Sequence, residues 1–166
     1  MSFIVETGAG IAGANSYVSL VDANAYHADR ITAATWAALT DALKQAYLIH
    51  ATEYIEGAFE WASGVKNDED NGLSWPRYGA YDRENYMLDS DIVPEQLKHA
   101  VCELAVKVTA SAPLQDDVDR ETKSESVGPI SVTYLDRARD SKFYKFATNM
   151  LKGLILGDNT SMVLRA

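Results

Sequence analysis

Cysteine, basic residues and long apolar runs are all scarce in this chain of 166 residues. Its single cysteine, Cys102, excludes an intramolecular disulfide framework and is typical of assembly in a reducing cytoplasm. Because no apolar run approaches the ~20 residues of a transmembrane helix, we expect no membrane partner. The first residues also lack a basic segment followed by an apolar one, so we expect no signal peptide and synthesis in the cytoplasm.

Positive charge is not only scarce but also unevenly distributed. Residues 1–136 hold nine Lys and Arg against 22 Asp and Glu, whereas residues 137–166 hold six against two. Because phosphate contacts dominate non-specific nucleic-acid affinity, a chain of net charge −9 is a poor non-specific binder of nucleic acid. The change of sign favours an interaction surface at the C-terminal end.

The spacing of apolar residues and the positions of turn signals predict a mainly α fold, a small helical bundle with one β-hairpin and extended N- and C-terminal arms. The length suits a single domain. We expect an N-terminal arm over residues 1–18 and a helical core over 19–112 with a long loop at 63–92. A hairpin at 120–136, a C-terminal helix at 140–156 and a docking tail at 157–166 complete the chain.

Apolar residues at helical spacing predict the long helices. Ser19 suits the N-cap of a helix at about 20–29, Thr40 that of one at about 41–58, and Pro94 the first turn of one ending near 111. The predicted core stripe of the helix at 41–58 is Leu43, Tyr47, Ala51, Tyr54 and Ile55. That of the last helix, at about 141–156, is Phe143, Phe146, Ala147, Met150, Leu151, Leu154 and Ile155.

Two Ser-, Thr- and Val-rich stretches, 121–127 and 130–135, flank Gly128 and Pro129 and predict the β-hairpin. The alternation of Ile130, Val132 and Tyr134 gives its second strand one apolar face. The loop at 63–92 is rich in turn signals, and loops this long inside a compact domain are usually functional.

Motifs for ligand chemistry lack their required context. Gly8, Gly10 and Gly13 match the G-x-G-x-x-G pattern, but no βαβ unit follows, so we expect a flexible arm rather than a nucleotide site. The run NDEDNG at 67–72 faintly resembles a calcium loop. Its twelfth position is Tyr78 instead of the bidentate Glu that calcium requires, so we expect a solvated turn.

The sequence also shows no recognisable set of catalytic residues. His27, His50 and His99 fall on three separate predicted helices, and none has a second ligand at zinc spacing. Cys102 follows Val101 on an apolar helix and is expected to be a small buried hydrophobe. With no G-x-S-x-G and no Walker loop, we expect no catalytic residue, no metal, no cofactor and no enzymatic activity.

The long loop carries the aromatic residues of most interest. Trp75, Tyr78, Tyr81 and Tyr86 are interleaved with arginines, a pattern that can stack single-stranded bases. The same residue types are enriched in protein interfaces. Acidic neighbours in the same loop oppose phosphate binding, so we favour a protein interface and keep single-stranded DNA as the alternative.

Five stretches together resemble a family of small tailed-phage proteins that carries the label DnaT-like single-stranded-DNA-binding protein. The chain is also similar to helical head–tail connector (adaptor) proteins over about residues 5–155. The stretches are GANSYVSL at 13–20 with AYH at 25–27; WAALTD at 36–41 with ATEYI at 51–55; SWPR at 74–77; IVP at 92–94 with AVCELA at 100–105; and KSESVGPISVTY at 123–134.

The resemblance implies a structural virion protein at the head–tail interface. Such subunits form a homo-oligomeric ring, commonly of twelve, beneath the portal protein. The ring extends the channel for genomic double-stranded DNA and offers a platform to the tail or its terminator or stopper protein. The alternative that the family label implies is a DnaT-like single-stranded-DNA-binding accessory protein.

This connector hypothesis assigns a role to each candidate residue. The basic residues of the C-terminal end face the DNA channel or the portal: Arg137, Arg139, Lys142, Lys145 and Lys152. The end of the tail docks on the portal: Met162, Val163, Leu164 and Arg165. Loop and hairpin residues meet neighbouring subunits: Trp75, Arg77, Tyr78, Tyr81, Tyr86, Val127, Ile130 and Val132.

Overall fold

A computed structural model describes residues 2–110, 124–127, 130–133 and 145–156. The helices in these ranges are α1 (Leu20–Ala28), α2 (Ala33–Ala37), α3 (Asp41–Ala58), α4 (Glu95–Ala110) and α5 (Lys145–Met150). The strands form two antiparallel pairs, β1 (Val65–Lys66) with β2 (Arg77–Tyr78) and β3 (Ser124–Val127) with β4 (Ile130–Thr133). The predicted mainly α architecture with a small β-hairpin is therefore confirmed.

The core lies between α3 and α4, with α1, α2 and α5 packed around α4. Leu97, Val101 and Leu104, at helical spacing along α4, are buried in this core. Ser19 and Thr40 act as the predicted N-caps, because their hydroxyls accept the backbone N–H of Asp22 and Leu43. None of the helices in the described ranges has the length and apolar character that a membrane crossing requires.

The buried face of α3 differs from the predicted stripe. Leu43 is 44 % exposed, while its neighbour Lys44 is buried. The Lys44 ammonium donates to Asn24 Oδ1 at 3.0 Å and lies 5.7 Å from the ring centre of Trp36. The apolar stem of lysine thus fills the space beside α2, and its charge is satisfied by neighbouring side chains.

The C-terminal helix is shorter at its end than the sequence predicts. Helix α5 stops at Met150, and residues 151–156 form turns in which Leu151, Leu154 and Ile155 are buried. Gly153, with φ +95°, allows this change of direction and lies against the backbone of Arg83. Phe146, predicted as a core residue, is 57 % exposed.

Residues 2–18, predicted as an extended arm, instead fold back on themselves through turns and pack against the helical body. Val5 pairs with Ser16 in an isolated parallel bridge. Tyr17 and Val18 are each 1 % exposed, and Ala14 also belongs to the core. The N-terminal segment is therefore part of the folded body, which is a correction to the expected flexible arm.

Candidate interaction surface of the long loop

The long loop at 63–92 is anchored to the body by its own large side chains. Trp75 is 1 % exposed and packs edge-on against Trp61, with ring centres 5.7 Å apart. The backbone N–H of Trp75 donates to the hydroxyl of Tyr17 at 3.2 Å. The structure thus places Trp75 in the core and not, as predicted, on an exposed interface, because the largest apolar side chain of the loop gains most from burial.

Arg77 is also a structural anchor of the loop. Its guanidinium donates to the carbonyl oxygens of Ser63, Gly64 and Ser74, all of which belong to the same loop. Three donors of one planar group therefore satisfy three backbone acceptors. Arg77 is half-buried, and these bonds leave few guanidinium N–H groups available to another protein or a phosphate.

A half-buried carboxylate below the loop fixes its orientation. Glu56 on α3 accepts the Tyr17 hydroxyl at 2.5 Å through one carboxylate oxygen. Its other oxygen accepts the backbone N–H and the hydroxyl of Ser74, at 3.0 and 2.6 Å. Burial, and then the negative charge of Glu56, raise the pKa of Tyr17 well above its ordinary value. Tyr17 therefore remains a hydrogen-bond donor, and the loop is tied to both α3 and the N-terminal segment.

Six large apolar side chains of the anchored loop are exposed, Val65 and Ile92 among them. We call the other four the tyrosine surface: Tyr78, Tyr81, Tyr86 and Met87. Their exposed fractions are 70, 41, 72 and 69 %. Tyr81 pairs with Met87 in an antiparallel bridge, which puts both residues on one face. The turn between them is closed by Asp82, whose carboxylate accepts the N–H groups of Glu84 and Tyr86.

The charge around the tyrosine surface is negative. Residues 63–92 contain three basic and seven acidic residues. Of the basic ones, Arg77 is engaged as described, and the Lys66 ammonium donates to the carbonyl oxygen of Asn71 at 3.1 Å. Arg83 is exposed beside Asp82 and Glu84. The surface is thus aromatic and acidic, a combination that suits a protein partner better than a phosphate backbone.

The other predicted interface residues lie elsewhere. Val127, Ile130 and Val132 are on β3 and β4 as predicted, and Lys152 is exposed in the turn after α5. Lys145 is the first residue of α5. Arg137, Arg139 and Lys142, and the tail residues Met162, Val163, Leu164 and Arg165, lie outside the described residues. Their predicted roles stay predictions.

The glycine-rich motif forms an anion site that the chain fills itself. The Glu6 carboxylate, 1 % exposed as a residue, accepts the backbone N–H groups of Gly8, Gly10 and Ile11 at 2.8, 3.0 and 2.6 Å. Backbone N–H groups that converge in this way form a nest for a negative charge. Gly8 has φ +107°, and a Cβ there would lie 1.9 Å from the carbonyl oxygen of Asp91. An internal carboxylate thus takes the place that a phosphate would need.

We expect replacement of Glu6 by alanine to lower the free energy of unfolding by about 2–4 kcal/mol, because three N–H groups lose a charged acceptor. Chemical denaturation followed by circular dichroism measures the change. Glu69→Ala, at an exposed position, is the matched control and should change the free energy by less than about 0.5 kcal/mol. A loss no larger than that of the control would show that the nest does not stabilise the fold.

Residues with catalytic potential occupy structural positions. Burial raises the pKa of the Cys102 thiol to about 12, which confirms the expectation of a buried hydrophobe. His27, His50 and His99 lie on α1, α3 and α4, as predicted. Burial lowers the pKa of His27, whose Nδ1 lies 3.0 Å from the Thr32 hydroxyl. Among the residues that the structure describes, no three His, Cys, Asp or Glu side chains converge on a possible metal position.

Comparison with known proteins adds one finding to this geometry. A family model described as "Putative DnaT-like ssDNA binding protein" matches residues 1–166. No curated protein and no solved structure matches the chain. Because the match covers the whole sequence, this chain belongs to the family described as putative DnaT-like ssDNA binding proteins.

Proposed function

We propose that this protein is a structural subunit of a tailed-phage particle, a head–tail connector that forms a ring beneath the portal and carries the platform for the tail. The observation that carries the proposal is the tyrosine surface, in which four large apolar side chains are exposed on a loop fixed by Trp75, Arg77 and Glu56. Exposed Tyr and Met on a rigid support are typical of protein interfaces and cost little entropy on binding.

The geometry of a ring requires two different patches on each subunit. In a closed ring of identical subunits, each contact joins two different patches of neighbouring copies. The tyrosine surface then serves as one patch, and the basic C-terminal end faces the DNA channel or the portal. Weak contacts between that end and DNA are required in a channel, because the genome has to slide through it.

The direct experiment is to mix the purified protein with the portal protein of the same phage and to image the product by electron microscopy. The proposal expects rings of this protein, in about the portal's own symmetry, on one face of the portal. Unchanged portals, with this protein still free in solution at an excess over the portal, would overturn the connector function.

Removal of residues 157–166 is expected to abolish portal binding and leave the fold intact. The last described core residues before the cut are Leu154 and Ile155, while Leu156 is exposed, so the truncated chain keeps every side chain that is buried in the described part of the chain. The free energy of unfolding should therefore change by less than about 0.5 kcal/mol. Co-sedimentation with the portal measures binding, and retention of binding by the shortened chain would show that docking uses another segment.

Single-stranded DNA binding is the second candidate, because the family description names it. Tyr78, Tyr81 and Tyr86 could stack bases, and Arg83 is the exposed cation beside them. This function predicts a measurable affinity for a fluorescent oligonucleotide that falls steeply as salt rises. Fluorescence anisotropy at low salt decides the matter. The connector proposal expects weak binding that does not depend on the three tyrosines.

A further inference from the structure

The side chain of Asn71 is buried without a hydrogen bond at either end. Asn71 lies between β1 and β2 and is 4 % exposed, whereas the four residues before it are exposed. Neither its Oδ1 nor its Nδ2 has a hydrogen-bond partner among the described residues. A buried carboxamide without partners lowers stability, so a purely structural role does not account for Asn71.

Asn71 is followed by Gly72, and this pair is chemically reactive in an open chain. The Gly72 nitrogen attacks Cγ of Asn71, because glycine has no side chain to obstruct the approach. The new C–N bond closes a cyclic imide, and Nδ2 leaves as ammonia with the proton that the Gly72 nitrogen loses. Water then opens the ring at either carbonyl and gives aspartate or isoaspartate at position 71.

In the folded chain the attacking nitrogen is engaged by the N-terminal segment, residues 2–18. The Gly72 N–H donates to the carbonyl oxygen of Ile11 at 3.2 Å, and the Ile11 N–H donates to the Glu6 carboxylate at 2.6 Å. Gly72 also lies directly on the backbone of this segment, since a Cβ at position 72 would be 2.6 Å from the nitrogen of Ala14. Glu6 therefore holds the segment that occupies the Gly72 nitrogen.

The carboxamide of Asn71 lies close to the same carboxylate. A Cβ at Gly10 would be 2.4 Å from Asn71 Oδ1, so the amide lies against Gly10. The Gly10 N–H donates to Glu6 at 3.0 Å, and Asn71 and Glu6 therefore contact the same glycine. A carboxylate at position 71 would place a second negative charge in this buried place, which is unfavourable.

We propose that Asn71 is a self-modification site, which is deamidated when the N-terminal segment opens and then prevents that segment from closing again. While the segment is packed on the body, the Gly72 nitrogen stays bonded to Ile11 and Asn71 is stable. Local opening releases the nitrogen, and the reaction takes place in the open state. The new carboxylate repels Glu6, so the change acts in one direction. This inference does not depend on the connector function.

The long loop loses an anchor when the segment opens. Tyr17, near the end of the segment, donates its hydroxyl to Glu56 and accepts the backbone N–H of Trp75. A chain modified at position 71 therefore carries a permanent record of opening and holds the loop less firmly.

The rate of modification tests whether the fold protects Asn71. The purified chain is incubated in mildly alkaline buffer, and conversion at position 71 is measured by peptide mapping with mass spectrometry. We expect conversion at least tenfold slower in the folded chain than in the same chain unfolded in urea, because modification of a transiently open state follows its population. Equal rates in the two states would overturn the inference.

Glu6→Gln separates opening of the segment from a loss of global stability. The variant removes the charged acceptor of three backbone N–H groups, so conversion at position 71 should rise at least tenfold. Leu48→Ala and the milder Ile55→Val, both at fully buried positions of α3, are the controls and should leave the rate within about twofold. Circular dichroism checks that each variant is folded. No rise in Glu6→Gln, or an equal rise in the controls, would show that this segment does not control the reaction.

Asn71→Asp tests the one-way step. The added charge should keep the segment open, so that hydrogen exchange at the N–H groups of Gly8, Gly10 and Ile11, measured by NMR, becomes at least tenfold faster. Asn71→Ala, which removes the amide without adding a charge, is the matched control and should keep exchange within about threefold of the unchanged chain. Unchanged exchange in Asn71→Asp would overturn the inference, and so would equal acceleration in both variants, since loss of packing would then open the segment.

Discussion

Replacing Trp75 by alanine is expected to lower the free energy of unfolding by about 3–5 kcal/mol, the largest effect on stability that we predict for one residue. The substitution removes a 1 %-exposed ring together with its edge-on contact to Trp61. It also leaves a cavity beneath the tyrosine surface. Denaturation by urea, followed by fluorescence and circular dichroism, measures the loss.

Trp75→Phe is the matched control for that experiment. Phenylalanine keeps an aromatic ring in the same space, and the indole N–H that it removes has no hydrogen-bond partner among the described residues. We therefore expect a loss of less than about 1.5 kcal/mol. If Trp75→Ala lowered the free energy of unfolding no more than Trp75→Phe, this residue would not anchor the loop. The prediction of a rigidly supported tyrosine surface would then be wrong.

The largest effect on assembly is expected from the tyrosine surface. Changing Tyr78, Tyr81 and Tyr86 together to serine should weaken ring formation at least a hundredfold, because buried tyrosines at interfaces commonly contribute about 1–2 kcal/mol each or more. The fold should be unaffected, since all three side chains are exposed. Sedimentation with the portal measures assembly, and a thermal melt measures folding.

Val21→Ser is a suitable control for the triple variant. Val21 is an apolar residue of α1 that is 75 % exposed. Its replacement therefore tests whether the loss of any exposed apolar side chain weakens assembly. We expect its assembly to equal that of the unchanged chain. Normal rings from the triple variant would mean that the tyrosines meet no neighbouring subunit.

Local signals predicted the helices well because the forces that form them are local. The start of α3 at Asp41 and its end at Ala58 follow from the Thr40 cap and the helical spacing of apolar residues. The buried face of the same helix was harder to predict. Lys44 is buried only because Asn24 and Trp36, from α1 and α2, surround its charge and its stem, and that arrangement is tertiary.

The N-terminal segment shows a different limit. Considered one by one, the glycines of the G-x-G-x-x-G pattern predict a flexible segment. In the structure, the Glu6 carboxylate accepts the N–H groups of Gly8 and Gly10 and so fixes the conformation of this segment. The signal that could have indicated this is the position of Glu6, which lies two residues before Gly8 and is the nearest anion in the sequence to the N–H groups of the glycine run. The same reasoning would have favoured an ordered loop over a nucleotide site.

The candidate site was predicted in part. The sequence indicated that the aromatic residues of the long loop matter, and the structure divides them into two groups. Trp75 and Arg77 anchor the loop, while Tyr78, Tyr81 and Tyr86 are exposed. Strands β1 and β2, of two residues each, are too short for any periodicity to separate these roles.

The most direct test of the connector function is to produce phage particles without this chain and to count joined heads and tails by electron microscopy. The account predicts separate tails and heads that lose their DNA, with both restored when the unchanged chain is supplied from a plasmid. Infectious particles of normal appearance, with genomes retained in the absence of this chain, would contradict it.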